Sequence, residues 1–393
     1  MPDTVRGSEP VVRTLLEAIN GASHAYTLVQ APGRVNLIGE HTDYNGGHVL
    51  PMALDRVVGV AARKNSRPEH QVISLNYGAS CTFAAGSVPE DSAPRWMRYT
   101  AGMLREVGKH LSHAPPLLLY VYGDIPLGAG LSSSAALCVA TGLALEAISG
   151  EDIDPMAMAC IAQAVEQIYA GVQCGIMDQV VSRLGKPGHA LLLHCDTLKY
   201  SHIPLCTDGV RLVLIDSGVR RELATSQYNE RRQQCTAALA LGRRKRPELQ
   251  TLCAMDMGDV LDLPSALLRR RALHAVTEDA RVHVAADALK KQDWDAFGRY
   301  LAESHASLRD LYEVSCREMD CLVDAALAAP EVYGARMIGG GFGGCTINVV
   351  AENAKEKLQY AVMRAYRKEF NRAARFHVLG DGLQAGIVRE GRS

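Results

Sequence analysis

A glycine- and serine-rich loop between a buried strand and an apolar helix is the feature that most constrains the fold of this chain. Residues 117–122, with the sequence LLLYVY, are typical of a buried strand, and the Ala- and Leu-rich residues 134–148 predict a helix. Residues 128–134, GAGLSSS, lie between them. Glycines allow sharp turns, and free N–H groups at the start of a helix attract anions. The loop therefore predicts either a phosphate site or a helix that is only capped by serine.

Length and composition favour two domains with sizeable cores. The chain has 393 residues, of which 48% are hydrophobic. We expect a boundary near residues 203–209, dividing the chain into domains 1–205 and 206–393. The formal net charge of -1 gives no broad attraction to nucleic acid or to an anionic membrane. The longest apolar runs are too short to span a bilayer.

Eleven cysteines are present, without a Cys-x-x-Cys motif and without a Cys/His array at zinc spacing. Residues 1–10 have no apolar stretch and do not look like a signal peptide. An odd number of cysteines without an export signal predicts reduced thiols and a cytoplasmic location. Basic runs near Arg243 and Arg269 are expected to be solvated helix faces, which is their common use.

A polar stretch at residues 31–47, APGRVNLIGEHTDYNGG, carries donors and acceptors that suit a polyhydroxy ligand. It includes Arg34, Glu40, His41 and Asp43. Without a ligand, the same composition would suit a polar turn between strands. We expect a strand at residues 26–30 to enter this stretch and two strands, residues 49–55 and 57–62, to leave it.

Three motifs in this order resemble those of the small-molecule kinase family named for galactokinase, homoserine kinase, mevalonate kinase and phosphomevalonate kinase. The polar stretch is similar to the sugar signature of the galactokinase branch, and residues 126–136 are similar to the family's Pro-x-Gly-x-Gly-Leu-Ser-Ser-Ser-Ala loop. Residues 339–344, GGGFGG, resemble its third motif. The resemblance implies an α/β (α+β) fold of two domains, with mixed and antiparallel sheets and the active site in the cleft between them.

The resemblance also implies the sugar contacts. In the first motif, Glu40, His41 and Asp43 would bind sugar hydroxyls. The segment CGIMDQ at residues 174–179 would place the backbone of Gly175 near the sugar. Tyr228, in the family's Ser-Glu-Tyr-Asn-x-Arg-Arg segment, would contact the hexose, although a lone Tyr in a helix more often packs in a core. Gln227 stands where the family has Glu.

Two distant residues are implied to carry the chemistry. Asp178 would receive the proton of the anomeric hydroxyl, and Arg34 would stabilise charge on the transferring phosphoryl group. Read from the residues alone, Asp178 equally suits a helix N-terminus, where it would complement the dipole. The two are 144 positions apart, and only the resemblance brings them together.

The remaining implied contacts are with ATP and a metal ion. The ATP phosphates would lie on the glycine-serine loop, formed by Gly128, Gly130, Leu131, Ser132, Ser133 and Ser134. Trp96 would line the adenine pocket, although core packing is an equal alternative. Glu166 and Ser132 would hold Mg²⁺, and the three serines are not ranked. A helical Glu in apolar company such as Glu166 otherwise needs a solvated face or a cation.

Other nucleotide motifs are excluded. The glycine-serine loop lacks the Gly-Lys-Ser/Thr ending of a P-loop, and the protein-kinase motifs are missing. Residues 339–344 contain a literal Gly-x-Gly-x-x-Gly, but a strand-like segment follows, whereas a dinucleotide fold requires a helix there.

The reaction implied by the resemblance is phosphorylation of α-D-galactose at C1 by ATP, giving galactose 1-phosphate and ADP, the first phosphorylation step of galactose catabolism. The unbroken HTDYNGG string at residues 41–47 favours galactose over N-acetylgalactosamine or arabinose. A sensor that binds galactose and ATP without turnover is a second alternative. We expect small-molecule substrates, no nucleic acid, no membrane and no obligate protein partner.

Overall fold

The computed structural model describes residues 4–19, 25–90, 92–126, 128–219 and 224–390. They form two β-sheets with helices packed against them. No helix in these ranges is both long and apolar enough to cross a membrane.

The first sheet is mixed, and all but one of its strands lie between residues 27 and 204. Its order is β13-β1-β3-β6-β4-β5, and β2, β7 and β8 extend it beside β3. Only the β4–β6 pair is parallel among the pairings described. Its strands are β1 (Thr27–Asn36), β2 (His48–Val49), β3 (Pro51–Lys64), β4 (Glu69–Ser74), β5 (Ala79–Ala84), β6 (Leu117–Gly123), β7 (His189–His194), β8 (Tyr200–Pro204) and β13 (Gly386–Arg389).

The second sheet is antiparallel, in the order β10-β11-β9-β12. Its strands are β9 (Val210–Asp216), β10 (Val332–Met337), β11 (Cys345–Ala351) and β12 (Arg375–Val378). The chain changes sheets between residues 204 and 210, and β13 then returns to pair with β1 of the first sheet. The two sheets confirm the expected fold class of mixed and antiparallel sheets.

Helices surround both sheets. Those of the first half are α1 (Glu9–Ala18), α2 (Arg95–Gly108), α3 (Ser133–Ser149), α4 (Pro155–Ala170) and α5 (Met177–Leu184). Those of the second half are α6 (Ala224–Arg243), α7 (Met257–Leu261), α8 (Ala266–Lys290), α9 (Trp294–Ser307), α10 (Arg317–Leu327) and α11 (Lys355–Phe370). α3 is buried along nearly its whole length, as its Ala and Leu content requires.

Local sequence signals explain the ends of α4. The Asp154 side chain accepts a hydrogen bond from the N–H of Ala157 at 2.9 Å, and Pro155 occupies the first turn. The helix ends at Gly171, whose φ of 66° is left-handed. These ends fix where Glu166 lies relative to the active-site cleft.

The prediction of separate strands at residues 49–55 and 57–62 was wrong. β3 runs unbroken over Pro51–Lys64, and β1 pairs with it from Thr27 to Asn36. Asp55 and Arg56 are more exposed than the strand positions around them, so this charged pair marks solvent-facing positions and not a break. β1 itself extends to Asn36, so the first part of the polar stretch is strand and not loop.

Candidate active site

A cavity of about 500 Å³ lies where the two halves of the chain meet. It is bounded by the end of β1, the glycine-serine loop before α3, the start of α5, and the glycine loop between β10 and β11. Most of the residues expected at the site line this cavity: Arg34, Glu40, His41, Asp43, Gly128, Gly130, Leu131, Ser132, Ser133, Ser134, Gly175, Asp178 and Tyr228.

Arg34 and Asp178 meet in this cavity. Nε and Nη2 of Arg34 lie 2.8 and 2.6 Å from Oδ1 of Asp178, and Nη1 donates to the carbonyl of Gly130 at 2.6 Å. Burial opposes the charged guanidinium, but the carboxylates of Asp178 and Glu40 keep the pKa of Arg34 above its ordinary value. Arg34 therefore stays a cation, fixed between the glycine-serine loop and Asp178.

Gly33 explains how Arg34 reaches the loop. The β1–β3 register shifts between Pro32 and Arg34, and the N–H of Arg34 donates to the carbonyl of Leu131 at 3.2 Å. A Cβ on Gly33 would lie 2.6 Å from that same carbonyl oxygen. The absence of a side chain at Gly33 thus permits the strand and the loop to touch.

The glycine-serine loop is wound through left-handed conformations, with φ of 70°, 76° and 60° at Gly128, Gly130 and Ser132. The Ser132 hydroxyl does not cap α3; it donates to Oδ2 of Asp178 at 2.5 Å. The N–H groups at the start of α3 are thus left for another partner, as an anion site requires. Both oxygens of Asp178 are held in place, one by Arg34 and one by Ser132.

Glu40 faces the cavity from a buried position. Its Oε1 accepts hydrogen bonds from the N–H of Gly339 at 2.8 Å and from Nη2 of Arg336 at 3.2 Å. The third glycine motif therefore contacts the polar stretch directly. In the same motif, a Cβ on Gly340 would lie 3.2 Å from Cδ2 of Tyr228, so the motif also packs against the ring expected to contact the hexose.

His41 lies among aromatic rings with one nitrogen free. Its Nδ1 is 2.7 Å from the hydroxyl of Tyr44, and its ring packs 4.7 Å from Tyr312 and 5.5 Å from Tyr228 between centroids. Burial lowers the pKa of His41 well below its ordinary value, so the ring is neutral near pH 7. Nε2 is buried without a hydrogen-bond partner among the described residues, and a ligand hydroxyl would satisfy it.

Asp43 is packed against a glycine. A Cβ on Gly175 would lie 1.9 Å from Oδ2 of Asp43, so no other residue fits at position 175 without moving the carboxylate. Burial, followed by the negative charges of Asp178 and Glu40, raises the pKa of Asp43 to about 7. A ligand hydroxyl that donates to this carboxylate would relieve part of its desolvation.

If Asp43 binds a sugar hydroxyl, as the resemblance implies, replacing Gly175 by Ala is expected to raise the KM for the sugar, because the new methyl group displaces Asp43. Overpacking of this kind costs about 1–3 kcal/mol, which corresponds to roughly a 5- to 150-fold weaker sugar interaction. Steady-state kinetics with each substrate varied checks this, and the KM for ATP is expected to change little.

Gly108→Ala is the matched control, since a Cβ there meets only the Cβ of Ala114 at 3.3 Å. An unchanged sugar KM in Gly175→Ala would contradict the assignment of Asp43.

Glu166 lies behind the glycine-serine loop and does not line the cavity. It is 3% exposed, and its Oε1 accepts a hydrogen bond from Nε2 of Gln179 at 2.7 Å. Burial and the nearby Asp178 raise its pKa to about 7, while hydrogen bonding from Ser134 and Gln179 lowers it. The structure thus places Glu166 beside Ser134, whereas Ser132 contacts Asp178.

One other expected residue, Trp96, is not brought to the cavity. Trp96 lies on the buried face of α2, is 8% exposed, and stacks on Tyr77 at 5.9 Å between ring centroids. It does not line the cavity, so its contact with adenine stays a prediction. Arg220, which precedes Tyr228 in the same family-like segment and is by resemblance a weaker candidate for the site, lies outside the described residues.

Four side chains from the second half of the chain hold the polar stretch and His48, the residue that follows it, and no sequence pattern identified them. Arg336 is fully buried and donates to the carbonyls of Asn36 and Leu37, each at 2.6 Å. Glu278 Oε1 accepts from the N–H groups of Gly39 and Glu40 at 3.1 and 3.3 Å.

α8 supplies the other two. His274 Nε2 donates to the carbonyl of Glu40 at 3.1 Å, consistent with a neutral ring whose pKa burial lowers to about 4. Asp279 Oδ1 accepts from the N–H of His48 at 2.5 Å. His274 and Glu278 are four residues apart and so share one face of the helix, but the sequence does not say what that face touches.

The expectation for the second basic run was partly wrong. Arg271 is 1% exposed, with Nε donating to Gln234 at 2.7 Å and Nη2 pairing with Glu313 at 2.5 Å. The run lies on α8, which is covered on several sides, so a helical period of 3.6 turns one of three consecutive arginines inward.

The fold and the site define a class of small-molecule kinase. The GHMP kinases N terminal domain matches residues 98–186, and the GHMP kinases C terminal domain matches residues 285–368. A crystal structure of mevalonate kinase shares the fold with a TM-score of 0.66 at 17% identity, covering 91% of this chain and 99% of that one. These matches give the chain the two domains and the fold of GHMP kinases, a class that uses ATP.

Within this class the more specific matches agree. The galactokinase galactose-binding signature matches residues 17–64. A galactokinase of Exiguobacterium sibiricum is 43% identical over 362 residues, which is 90% of this chain and 92% of that protein. Lactococcus lactis galactokinase, in a crystal structure with galactose, superposes with a TM-score of 0.90 at 32% identity, covering 96% of this chain and 98% of that one. The chain belongs to the galactokinase family.

Proposed function

We infer that this chain transfers the γ-phosphoryl group of ATP to the C1 hydroxyl of α-D-galactose, giving galactose 1-phosphate and ADP. The observation that carries this most directly is the contact of Arg34 with Asp178 inside a cavity that the sugar signature and the glycine-serine loop both line. Family membership supports the same reaction.

The sugar is recognised by groups that both accept and donate. Asp43 and Glu40 accept hydrogen bonds from sugar hydroxyls, and Nε2 of His41 forms a hydrogen bond with another sugar hydroxyl. The ring of Tyr228 covers the sugar from α6, and the backbone of Gly175 lies beside Asp43. Because Asp43 is partly protonated near pH 7, the affinity for galactose increases as the pH rises through 7.

The chemical step needs little covalent work from the protein. The C1 oxygen forms a bond to the γ-phosphorus as the bond from that phosphorus to the bridging oxygen breaks, and ADP leaves. Asp178 takes the hydroxyl proton, held in position by Arg34 and Ser132. Arg34 stabilises the charge on the transferring group, and a loose transition state allows the proton to leave late.

ATP is bound by the glycine-serine loop in this proposal. Gly128, Gly130 and Leu131 bring backbone close to the phosphates, with Ser133 and the N–H groups at the start of α3 completing the anion site. We also propose that Trp96 lies near the adenine. Trp96 itself is buried, and the ring of Tyr77, which stacks on it and is 54% exposed, connects it to the surface.

A divalent metal fits beside this loop. Glu166 is a buried carboxylate with no cation in direct contact among the described residues, and the Ser134 hydroxyl lies next to it. Carboxylate and hydroxyl oxygens are ligands that suit Mg²⁺. We propose that Glu166 holds Mg²⁺ with help from Ser134, and that Ser132, also expected as a ligand, serves chiefly to orient Asp178. When bound, Mg²⁺ neutralises phosphate charge.

The domain division is retained as a proposal, with the boundary between residues 205 and 206. The change from the first sheet to the second between β8 and β9 supports it. The return of β13 to the first sheet means that the first domain also includes the C-terminal strand. A cytoplasmic location is likewise proposed, supported by the odd number of cysteines, eleven.

ADP release coupled to a detector, measured with a panel of sugars, tests the function. The proposal expects turnover with galactose and much less with N-acetylgalactosamine or arabinose. If turnover is faster with one of those sugars, that sugar and not galactose is the substrate. Galactose binding by calorimetry without any ADP release would instead identify a sensor.

Glu166→Gln is expected to separate metal binding from fold stability. The variant needs a higher Mg²⁺ concentration for half-maximal turnover, because a neutral amide is a weaker ligand.

Without metal, the raised pKa of Glu166 gives the wild type stability that is present below about pH 4.5 and is lost as the pH rises through about 7. The wild-type free energy of unfolding should therefore fall from pH 5 to pH 8 by roughly 2–3 kcal/mol more than that of the variant.

Urea unfolding at several pH values measures the second effect, and a Mg²⁺ titration of turnover measures the first. Equal Mg²⁺ requirements in the two proteins would remove Glu166 from the metal site. Parallel pH profiles of stability would contradict the raised pKa.

A further inference from the structure

A second group of potential metal ligands lies where the polar stretch ends, away from the glycine-serine loop. His48 opens β2, and Asp279 and His283 are four residues apart on one face of α8. One ligand atom from each of the three lies within 4.8 Å of the other two. None of these residues lines the active-site cavity.

The donor atoms of this group are only partly used. Oδ1 of Asp279 accepts from the N–H of His48 and lies 3.0 Å from Nδ1 of the same residue. Nε2 of His48 and both ring nitrogens of His283 have no hydrogen-bond partner among the described residues. The group therefore holds unused nitrogen lone pairs next to a carboxylate.

Imidazole rings are concentrated at this point. The ring of His48 lies 4.2 Å from that of His283 and 4.4 Å from that of His194, between centroids. Neutral imidazole is the form that binds metals.

We propose that His48, Asp279 and His283 bind one divalent transition-metal ion, with Zn²⁺ as the expected species. Two imidazoles and a carboxylate form a known Zn²⁺ ligand set, and water would take the remaining position. Metal–ligand bonds of 2.0–2.1 Å place tetrahedral ligand atoms about 3.4 Å apart. In the structure the ligand atoms lie within 4.8 Å of one another. His283 is exposed, so its side chain can rotate to bring its nitrogen to the shorter distance.

This site is distinct in chemistry from the Mg²⁺ site proposed at Glu166. Mg²⁺ takes oxygen ligands, whereas imidazole nitrogen selects Zn²⁺, Ni²⁺ or Co²⁺. A metal at His48 would cross-link the end of the polar stretch to α8, which already holds that stretch through Glu278 and His274. The consequence is added stability of the folded state, because the unfolded chain does not hold the three ligands together.

Equilibrium dialysis of the metal-stripped full chain against Zn²⁺ tests the proposal, with melting temperature and the visible spectrum of the Co²⁺ form as further readouts. The expected result is one equivalent bound, a raised melting temperature, and a Co²⁺ spectrum without thiolate charge-transfer bands. His283→Ala and His48→Phe should each weaken binding by about 100-fold or more. The phenyl ring keeps the packing of His48 on His194 but removes its nitrogens.

His113→Ala is the matched control, since this exposed histidine lies far from the group in the fold, beside Glu151. Cys253→Ser is a second control, because the sulfur of Cys253 lies near Asp279. A Cβ added to Gly47 would lie 2.7 Å from both Sγ of Cys253 and Oδ1 of Asp279. Zn²⁺ binding that is absent in the wild type, or equal in wild type, His283→Ala and His48→Phe, would overturn the proposal. Loss of binding only in Cys253→Ser would also overturn it.

Discussion

Asp178→Asn is expected to lower kcat by roughly 10²- to 10⁴-fold, the usual contribution of a positioned general base. The amide keeps the size of the carboxylate. Its oxygen can still accept from Arg34, and its NH2 group can donate to the hydroxyl oxygen of Ser132, so the cavity should keep its shape. It cannot take the proton of the C1 hydroxyl. The KM for galactose should therefore change much less than kcat, and steady-state kinetics distinguishes the two effects.

Glu146→Gln is the matched control for this variant. Glu146 is also a buried acid of the first half of the chain, 7% exposed, and its Oε1 accepts from the N–H of Ile153 at 2.7 Å. It does not line the cavity, so its variant should turn over galactose at close to the wild-type rate. Unchanged turnover in Asp178→Asn would refute the role of this carboxylate.

Arg336→Met is expected to destabilise the fold by about 3–5 kcal/mol, the cost of removing one member of a buried ion pair. Arg336 and Glu40 are 0% and 3% exposed in their side chains. The guanidinium also donates hydrogen bonds to the carbonyls of Asn36 and Leu37. In the variant these buried carbonyl groups would lose their donor. The free energy of unfolding in urea measures the loss.

Two further variants test this explanation. Arg211→Met breaks an ion pair with Glu352 whose side chains are 36% and 54% exposed, and it should cost less than about 1 kcal/mol. Adding Glu40→Gln to Arg336→Met should restore part of the stability, because the uncompensated buried charge is removed. If Arg336→Met loses no more stability than Arg211→Met, the buried guanidinium does not hold the polar stretch.

Local features were predictable from the sequence because their causes are local. The apolar run of β6, the Ala- and Leu-rich α3 and the strand after the third glycine motif depend on periodicity and turn residues within a few positions. The strand after the polar stretch was wrongly divided at Asp55 and Arg56. A charged pair within a strand resembles a turn when the neighbouring strand is unknown.

Contacts between distant positions were predictable only by resemblance or not at all. Arg34 and Asp178 were paired through the family motifs, and the structure brings them together. Arg336 and Glu278 were missed because nothing near them in the sequence identifies their partners, 238 or more positions away. Arg271 was placed on a solvated face because the sequence does not show which sides of α8 are covered.

A crystal structure of the chain with galactose and a non-hydrolysable ATP analogue would show the reacting atoms together. We expect a carboxylate oxygen of Asp178 within about 2.6–3.2 Å of the C1 oxygen, with the guanidinium of Arg34 beside the γ-phosphate. A sugar that presents a different hydroxyl to the γ-phosphate, or a C1 oxygen out of reach of Asp178, would contradict it.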